Sequence, residues 1–170
     1  MNINDRNIFL SYCKEKFKNK KYGDKNYLVH LLDVENFVIE LYENYLRIDF
    51  LRLLALGHDL LEDTNATKEE LLKMISSDII DLIERLTDKE GKNRKERHLK
   101  TYPYIREKEE AVIVKIADRV SNIRNSIKTN NKSKLSMYKK EYDTFKSALY
   151  DDRHSLAKKA WDVYDNLDIK

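Results

Sequence analysis

Apolar residues recur every three or four positions along most of the chain, the spacing expected of helices that each bury one face. One such stripe runs over residues 8–17 and a second over residues 27–45. Two more lie near the carboxyl end, over residues 135–149 and 156–167. The pattern therefore predicts an all-α protein.

Two stretches are too apolar for a surface helix, and they predict the centre of the fold. One covers residues 50–56 and the other residues 111–125. The first ends at His58 and Asp59, and the second carries Asp118. We expect these polar side chains to lie where the buried interior gives way to a cleft.

Helix boundaries are indicated by capping residues. Thr67 is followed three residues later by Glu70, which is the capping-box pattern. The other expected N-caps are Asn4 or Asp5, Asp49, and Ser77 or Asp78.

A cationic stretch covers residues 87–101, around Gly91 and with scarcely an apolar residue. Its cations are Lys89, Lys92, Arg94, Lys95, Arg97 and Lys100. Two interpretations remain open: a mobile solvated loop, or a cationic lid over an anionic ligand. Pro103 suits the first turn of the helix that follows.

Composition narrows the class of protein. The 170 residues are 41% hydrophobic and 37% charged, which predicts a single soluble domain over residues 1–170. Three glycines and one proline favour uninterrupted helix. Cys13 is the single cysteine, which excludes an internal disulfide and fits the reducing cytoplasm.

Charge and hydropathy exclude further classes of function. The formal net charge is only +3, with cations and anions mixed along the chain. No segment has the apolar length to cross a membrane, and no signal peptide opens the sequence. We therefore expect neither a nucleic acid nor a membrane as partner.

A metal site is the strongest chemical prediction. A neutral imidazole such as His58 beside a carboxylate such as Asp59 suits a divalent first-row metal, but two ligands do not fill a coordination sphere. Asp118 is the next candidate, because a carboxylate on so apolar a helix is costly unless it is paired or binds metal. The alternative is a salt bridge from Asp118 to Lys115 or Arg119.

Two further polar residues, His30 and Glu62, become candidates for the site only when they are considered together with its other polar residues. His30 lies beside the second apolar stripe, where a lone histidine is more often a core residue than a ligand. Glu62 is one helical turn from both His58 and Asp59, so the three are expected to form a compact cluster.

Several stretches resemble motifs of the HD phosphohydrolase superfamily and, within it, of the alarmone hydrolases. That group comprises the RelA/SpoT hydrolase domain and small stand-alone hydrolases related to it. The string His58-Asp59-Leu60-Leu61-Glu62-Asp63-Thr64 is similar to the HDxxEDT signature, and residues 115–124 are similar to KxADRxxNxR. Residues 27–30 and 86–89 also resemble the group's motifs. The resemblance covers about residues 20–146 and implies an HD-domain helical bundle.

The resemblance also implies site residues. It implies that one manganese ion is held by His30, His58, Asp59 and Asp118, and that Glu62 and Asp63 are the acid/base pair that prepares the attacking water. The substrate contacts that it implies are Lys20, Lys21, Asn122 and Tyr142. The chain has Leu31 where the group usually has proline, and lysine where it usually has arginine near the basic pair.

By this resemblance the protein is expected to be a cytoplasmic, metal-dependent hydrolase that removes the 3′-pyrophosphate from the guanosine alarmones (p)ppGpp, with a role in the stringent response. One alternative is an HD phosphatase that acts on another nucleotide. Another is a non-catalytic HD module that senses a nucleotide. The expected partner is a small nucleotide in each case.

Overall fold

The computed structural model describes residues 3–167, with side chains from Asp5 onwards, and within this range the expected all-α class is confirmed. The helices are α1 (Ile3–Lys16), α2 (Leu28–Tyr42), α3 (Ile48–Gly57), α4 (Leu60–Asp63), α5 (Lys68–Leu71), α6 (Ser77–Leu86), α7 (Arg94–Arg106), α8 (Glu109–Lys128), α9 (Lys132–Leu149) and α10 (Ala157–Asp165). The strands are β1 (Lys21–Tyr22) and β2 (Lys25–Asn26).

Helix α8 lies at the centre, as its apolar sequence predicts. Its apolar side chains from Ala111 to Ile123 are fully buried. Helices α2, α3, α6, α7, α9 and α10 all pack against it. The Asp118 side chain is only 16% exposed among these helices, which makes its position informative.

Helix α3 approaches its neighbours closely at its carboxyl end, because that end is a glycine. A Cβ atom on Gly57 would lie 2.8 Å from Cδ1 of Ile83 on α6 and 3.0 Å from Cζ of Phe9 on α1. Such contacts are too short for an unshifted methyl group. Gly57 thus allows the end of α3 to pack closely against α1 and α6. His58 is the next residue, so this packing also positions it.

A short hairpin covers one side of α2 and was not predicted from the sequence. Lys21 pairs with Asn26 and Tyr22 with Lys25, and Gly23 in the turn has a φ of 66°, which glycine adopts without strain. Side chains alternate along a strand, so Tyr22 faces inward while Lys21 is exposed.

The helix boundaries confirm one predicted cap and correct the others. The Thr67 side chain accepts from the backbone of Glu70 and the Glu70 side chain accepts from Thr67 N, so the capping box is confirmed. The remaining N-cap positions are Arg47 rather than Asp49 for α3, and Ser76 rather than Ser77 or Asp78 for α6. Asn4 and Asp5 lie within α1 rather than before it, and the Asn4 side chain lies outside the described residues.

The cationic stretch is a loop over residues 87–93 and a helix from Arg94 onwards, so the prediction of a loop over residues 87–101 was right for the first part and wrong for the second. Helix α7 begins at Arg94, with Asn93 as its N-cap accepting from Glu96 N at 3.0 Å. Pro103 lies inside α7 rather than in its first turn. Ion pairs explain the difference, because Arg97 meets Asp88 at 3.2 Å and Lys100 meets Glu96 at 3.0 Å. These pairs offset the repulsion that made the sequence read as a loop.

The final two helices carry the predicted aromatic stripes. Phe145 of α9 packs against Trp161 and Tyr164 of α10, with ring centroids 5.8 and 5.3 Å apart. In the part of the chain described here, no helix is both long and apolar enough to cross a membrane.

Candidate active site

The four predicted metal ligands lie close together between α2, α8 and the α3–α4 junction. His30 Nε2 lies 3.3 Å from Asp118 Oδ1 and 3.8 Å from Asp59 Oδ2. His58 Nε2 lies 3.0 Å from Asp59 Oδ2 and 4.0 Å from Asp118 Oδ1. One ligand atom each from His30, His58 and Asp118 falls within 4.8 Å of the others. Residues up to 88 positions apart in sequence are thus gathered into one cluster.

The orientation of the imidazoles fits a cation. His58 Nδ1 lies 2.7 Å from the carbonyl oxygen of Ala55, which only accepts, so Nδ1 carries the proton of the neutral ring. Its Nε2 is buried without a hydrogen-bond partner and faces Asp59 Oδ2. Two lone pairs that face each other need a proton or a metal ion between them. The donor set of imidazole nitrogen and carboxylate oxygen is one that binds first-row divalent metals.

His30 is held in a matching way. Its Nδ1 lies 3.1 Å from the hydroxyl of Ser121 on α8, and its ring stacks on Tyr22 with centroids 4.8 Å apart. Nε2 is thereby aimed at the carboxylates. Asp59 is also oriented from outside the cluster, because the Tyr27 hydroxyl donates to its Oδ2 at 2.5 Å. Partners of this kind fix ligand geometry and tune metal affinity.

The charges of the cluster are strongly coupled. Burial raises the pKa of Asp59 and Asp118, but the neighbouring cationic groups outweigh burial, so the pKa of Asp59 falls to about 2 and that of Asp118 lies well below its usual range. Burial likewise lowers the pKa of His58, yet the two carboxylates prevail and raise it to about 9. The site therefore favours positive charge at its centre.

The structure shows the salt bridge from Asp118 to Lys115, and the role of Asp118 as a metal ligand stays a prediction. Its Oδ1 faces His30, while its Oδ2 lies 3.5 Å from Lys115 Nζ, one turn earlier on α8. The Lys115 ammonium in turn has a raised pKa, because Asp118 outweighs the burial that lowers it. A carboxylate has enough lone pairs for both partners.

Glu62 and Asp63 line the same cavity, but not on the continuous helix that their spacing suggests. Helix α3 ends at Gly57 and α4 begins at Leu60, so the HD pair lies at a bend. Glu62 Oε2 accepts from the backbone N–H of Asp88 at 2.9 Å, and burial raises the pKa of the Glu62 carboxyl. Asp63 forms an ion pair with Lys20.

The cavity around these groups has a volume of about 210 Å³. It is lined by Tyr27, Asp59, Glu62, Asp63, Asp88, Arg94, His98, Lys115, Asp118, Arg119, Asn122 and Tyr138. The lining contains both carboxylates and cations, a combination that can hold a cation and a phosphate together.

Of the four predicted substrate-binding residues, Asn122 lines the cavity and Lys20 contacts one of its lining residues. Asn122 lines the cavity, donates to Asp118 Oδ1 at 2.5 Å and accepts from the Tyr22 hydroxyl at 3.1 Å. Lys20 is not a lining residue of the cavity, but it pairs with Asp63, which is, and it sits over the ring of Tyr27, 4.7 Å from its centroid.

Lys21 and Tyr142 are not among the lining residues of that cavity. Lys21 is exposed on β1. Tyr142 donates to Asp165 at 2.5 Å and stacks on Tyr164, with centroids 5.1 Å apart. Tyr138, one turn earlier on α9, lines the cavity in its place. The contacts of Lys21 and Tyr142 with a substrate stay predictions.

Sequence reasoning missed a second layer of site residues. Glu141 of α9 accepts from Arg119 at 2.6 Å and from Arg94 at 2.9 Å, so one carboxylate holds two cavity-lining cations. His98 also lines the cavity, and burial lowers its pKa to about 4. The only sequence signal for these residues was the cationic stretch itself, because its partner lies 47 residues away.

No family model matches the chain, and no curated protein matches it in sequence. Among solved structures that resemble it is one described as "A metazoan ortholog of SpoT hydrolyzes ppGpp and plays a role in starvation responses". The two align with a TM-score of 0.77 over 100% of this chain and 99% of that chain, at 20% sequence identity. This likeness confirms the expected all-α fold.

Proposed function

We propose that this protein is a metal-dependent hydrolase that removes the 3′-pyrophosphate from (p)ppGpp. The observation that carries the proposal is the convergence of two imidazole Nε2 atoms and two carboxylates, with Glu62 and Asp63 lining the same cavity. The likeness in fold to a protein described as hydrolysing ppGpp supports the choice of substrate.

We propose Mn²⁺ as the metal and His30, His58, Asp59 and Asp118 as its ligands. Two nitrogen and two oxygen donors suit a first-row divalent ion, and the unpartnered Nε2 of His58 supplies a lone pair for it. When bound, such an ion lowers the pKa of a coordinated water and shields charge on a phosphoryl oxygen.

Proton transfer falls to the two acidic neighbours. Burial raises the pKa of Glu62, so its carboxylate is the better acceptor for the proton of the attacking water. The water oxygen attacks the 3′-phosphorus, the bond from that phosphorus to the ribose 3′-oxygen breaks, and the 3′-oxygen takes up a proton. The products are pyrophosphate and GDP, or GTP from pppGpp. Asp63, held by Lys20, orients the water.

Three cations of the cavity can neutralise charge on the transferred group. Arg94, Lys115 and Arg119 line the cavity, and each is positioned by a carboxylate. Fixed cations of this kind stabilise the negative charge that develops in the transition state. Asn122 and Lys20 are proposed to contact the ribose and phosphate region.

The test is pyrophosphate release from ppGpp with added Mn²⁺, for the unaltered protein and Asp63→Asn. We expect selective cleavage of ppGpp over other nucleotides, and a loss of about 10²–10⁴-fold in the variant with its Mn²⁺ affinity retained. Asp78→Asn is the matched control, because Asp78 is exposed on α6 outside the cavity.

Two outcomes would contradict the proposal and favour one of the alternative functions. Equal turnover of other nucleotides would indicate an HD phosphatase of different substrate. Tight ppGpp binding without turnover would indicate a sensing module, which has no need of both Glu62 and Asp63.

We also propose that residues 1–170 act as one cytoplasmic domain. The buried side chains of α1 and α10 belong to the same hydrophobic cluster, and the Cys13 thiol is buried and reduced. Limited proteolysis that releases a stable fragment would contradict the single domain.

A further inference from the structure

A second cavity lies between α7 and α9, on the far side of α7 from the candidate active site. Its volume is about 590 Å³, within the range of about 300–1,000 Å³ typical of small-molecule sites. Leu99, Pro103 and Ala148 give it an apolar floor. Leu99 is 68% exposed, so its apolar surface is accessible to a ligand.

The rim of this α7/α9 cavity is cationic. Lys95 and Lys140 line it from opposite helices. Within residues 3–167, the salt bridges of this region are made by Arg94, Lys100 and Arg106, and neither Lys95 nor Lys140 takes part in one. The carboxylate of Glu141 also lines the cavity, but Arg94 and Arg119 already neutralise it.

The two cavities share a wall. His98 lines both, and its ring stacks on Tyr102 with centroids 4.6 Å apart. Glu141 lines the α7/α9 cavity while it holds Arg94 and Arg119, which line the active-site cavity. A ligand that moves α7 relative to α9 therefore moves two cations that face the substrate.

We propose that the α7/α9 cavity binds a small amphipathic organic anion, with its apolar part on Leu99, Pro103 and Ala148 and its charge between Lys95 and Lys140, and that occupation alters turnover at the active site. The apolar floor excludes inorganic phosphate alone as the occupant, because such an ion gains nothing from apolar surface. The pair of lysine cations selects against neutral apolar molecules.

Binding is tested with 8-anilinonaphthalene-1-sulfonate as the fluorescent probe. We expect saturable binding that decanoate displaces and inorganic phosphate does not. Lys140→Glu is expected to weaken binding about tenfold, whereas Lys139→Glu, the same charge change on the exposed neighbour, leaves it unchanged. Equal loss in both variants, or displacement by phosphate as effective as by decanoate, would overturn the proposal.

A second pair of variants tests location without changing charge. Ala148→Trp fills the cavity and is expected to abolish probe binding, while Ser147→Trp adds the same side chain at an exposed position and is expected to retain it. Probe binding that survives Ala148→Trp would place the probe elsewhere and refute the site.

The coupling is tested by ppGpp turnover at saturating probe. It rests on the proposed function, whereas the binding measurements do not, so the two can fail separately. We expect turnover to change about fivefold in the unaltered protein and not in Ala148→Trp. Unchanged turnover with the probe bound would overturn the coupling.

Discussion

Gly57 offers a sharp test of how packing sets the position of His58. Gly57→Ala adds one methyl group where Cδ1 of Ile83 would lie 2.8 Å away and Cζ of Phe9 3.0 Å away. Both neighbours are themselves completely buried, so neither has open space to move into. The added atom has to be accommodated by a shift of α3 against α1 and α6.

Two opposing effects decide the magnitude. Alanine at a helical position gains up to about 1 kcal/mol over glycine. Overpacking a closed core costs about 1–3 kcal/mol. The balance predicts that Gly57→Ala lowers the free energy of unfolding by about 0–2 kcal/mol, and that the affinity for Mn²⁺ falls because the next residue, His58, is a proposed ligand.

The measurement is urea denaturation followed by circular dichroism, together with calorimetric titration of Mn²⁺. Ile83→Val removes the Cδ1 atom and alone costs about 0.5–1.5 kcal/mol. In the Gly57→Ala background it is expected to cost less, with a coupling of at least about 0.5 kcal/mol. Gly57→Ala that stabilises the protein by about 1 kcal/mol, with Mn²⁺ affinity intact, would refute the reasoning.

Four further expectations follow from the site. Tyr27→Phe removes the donor to Asp59 and is expected to weaken Mn²⁺ binding about 10–100-fold by calorimetry, with unfolding little changed; unaltered affinity would contradict this. Arg97→Gln releases the segment whose backbone donates to Glu62, so kcat is expected to fall while Mn²⁺ affinity stays; a fall in both would point to misfolding. The pKa of His98 is lowered to about 4, so the unfolded chain binds more protons between pH 6.5 and 4, and stability is expected to fall on acidification by roughly 1–2 kcal/mol after allowance for partial exposure. His98→Gln is expected to flatten that fall in denaturation curves measured across this range. Removal of metal with EDTA is expected to lower the thermal midpoint, since an ion at 100 times its Kd contributes about 2.7 kcal/mol.

The elements of the fold were largely predictable, because amphipathic periodicity is a local property of the chain. The central position of α8 and the aromatic stripes of α9 and α10 follow from which residues are apolar. Boundaries were less predictable. Arg47 is not a favoured N-cap residue type, and Ser76, which is, forms no side-chain cap bond.

The cationic stretch shows why local reasoning failed at α7. Its cations repel one another within the segment, and only part of the compensation is local: Glu96 pairs with Lys100, and Asp88 pairs with Arg97. Glu141 pairs with Arg94 from 47 residues away. A short window of sequence shows the repulsion but not this distant pair.

The sequence by itself determined the helical class and the kinds of side chain available for a metal site. Motif spacing also selected His30, His58, Asp59 and Asp118 as a set, although it placed Glu62 on a continuous helix that the structure breaks. Only the tertiary structure decided that both imidazoles turn Nε2 towards the carboxylates, because Ala55 and Ser121 hold the other ring nitrogens. It alone placed Lys21 and Tyr142 apart from the cavity. Periodicity fixes which face of a helix is buried, but the partner across that face is set by packing between distant segments.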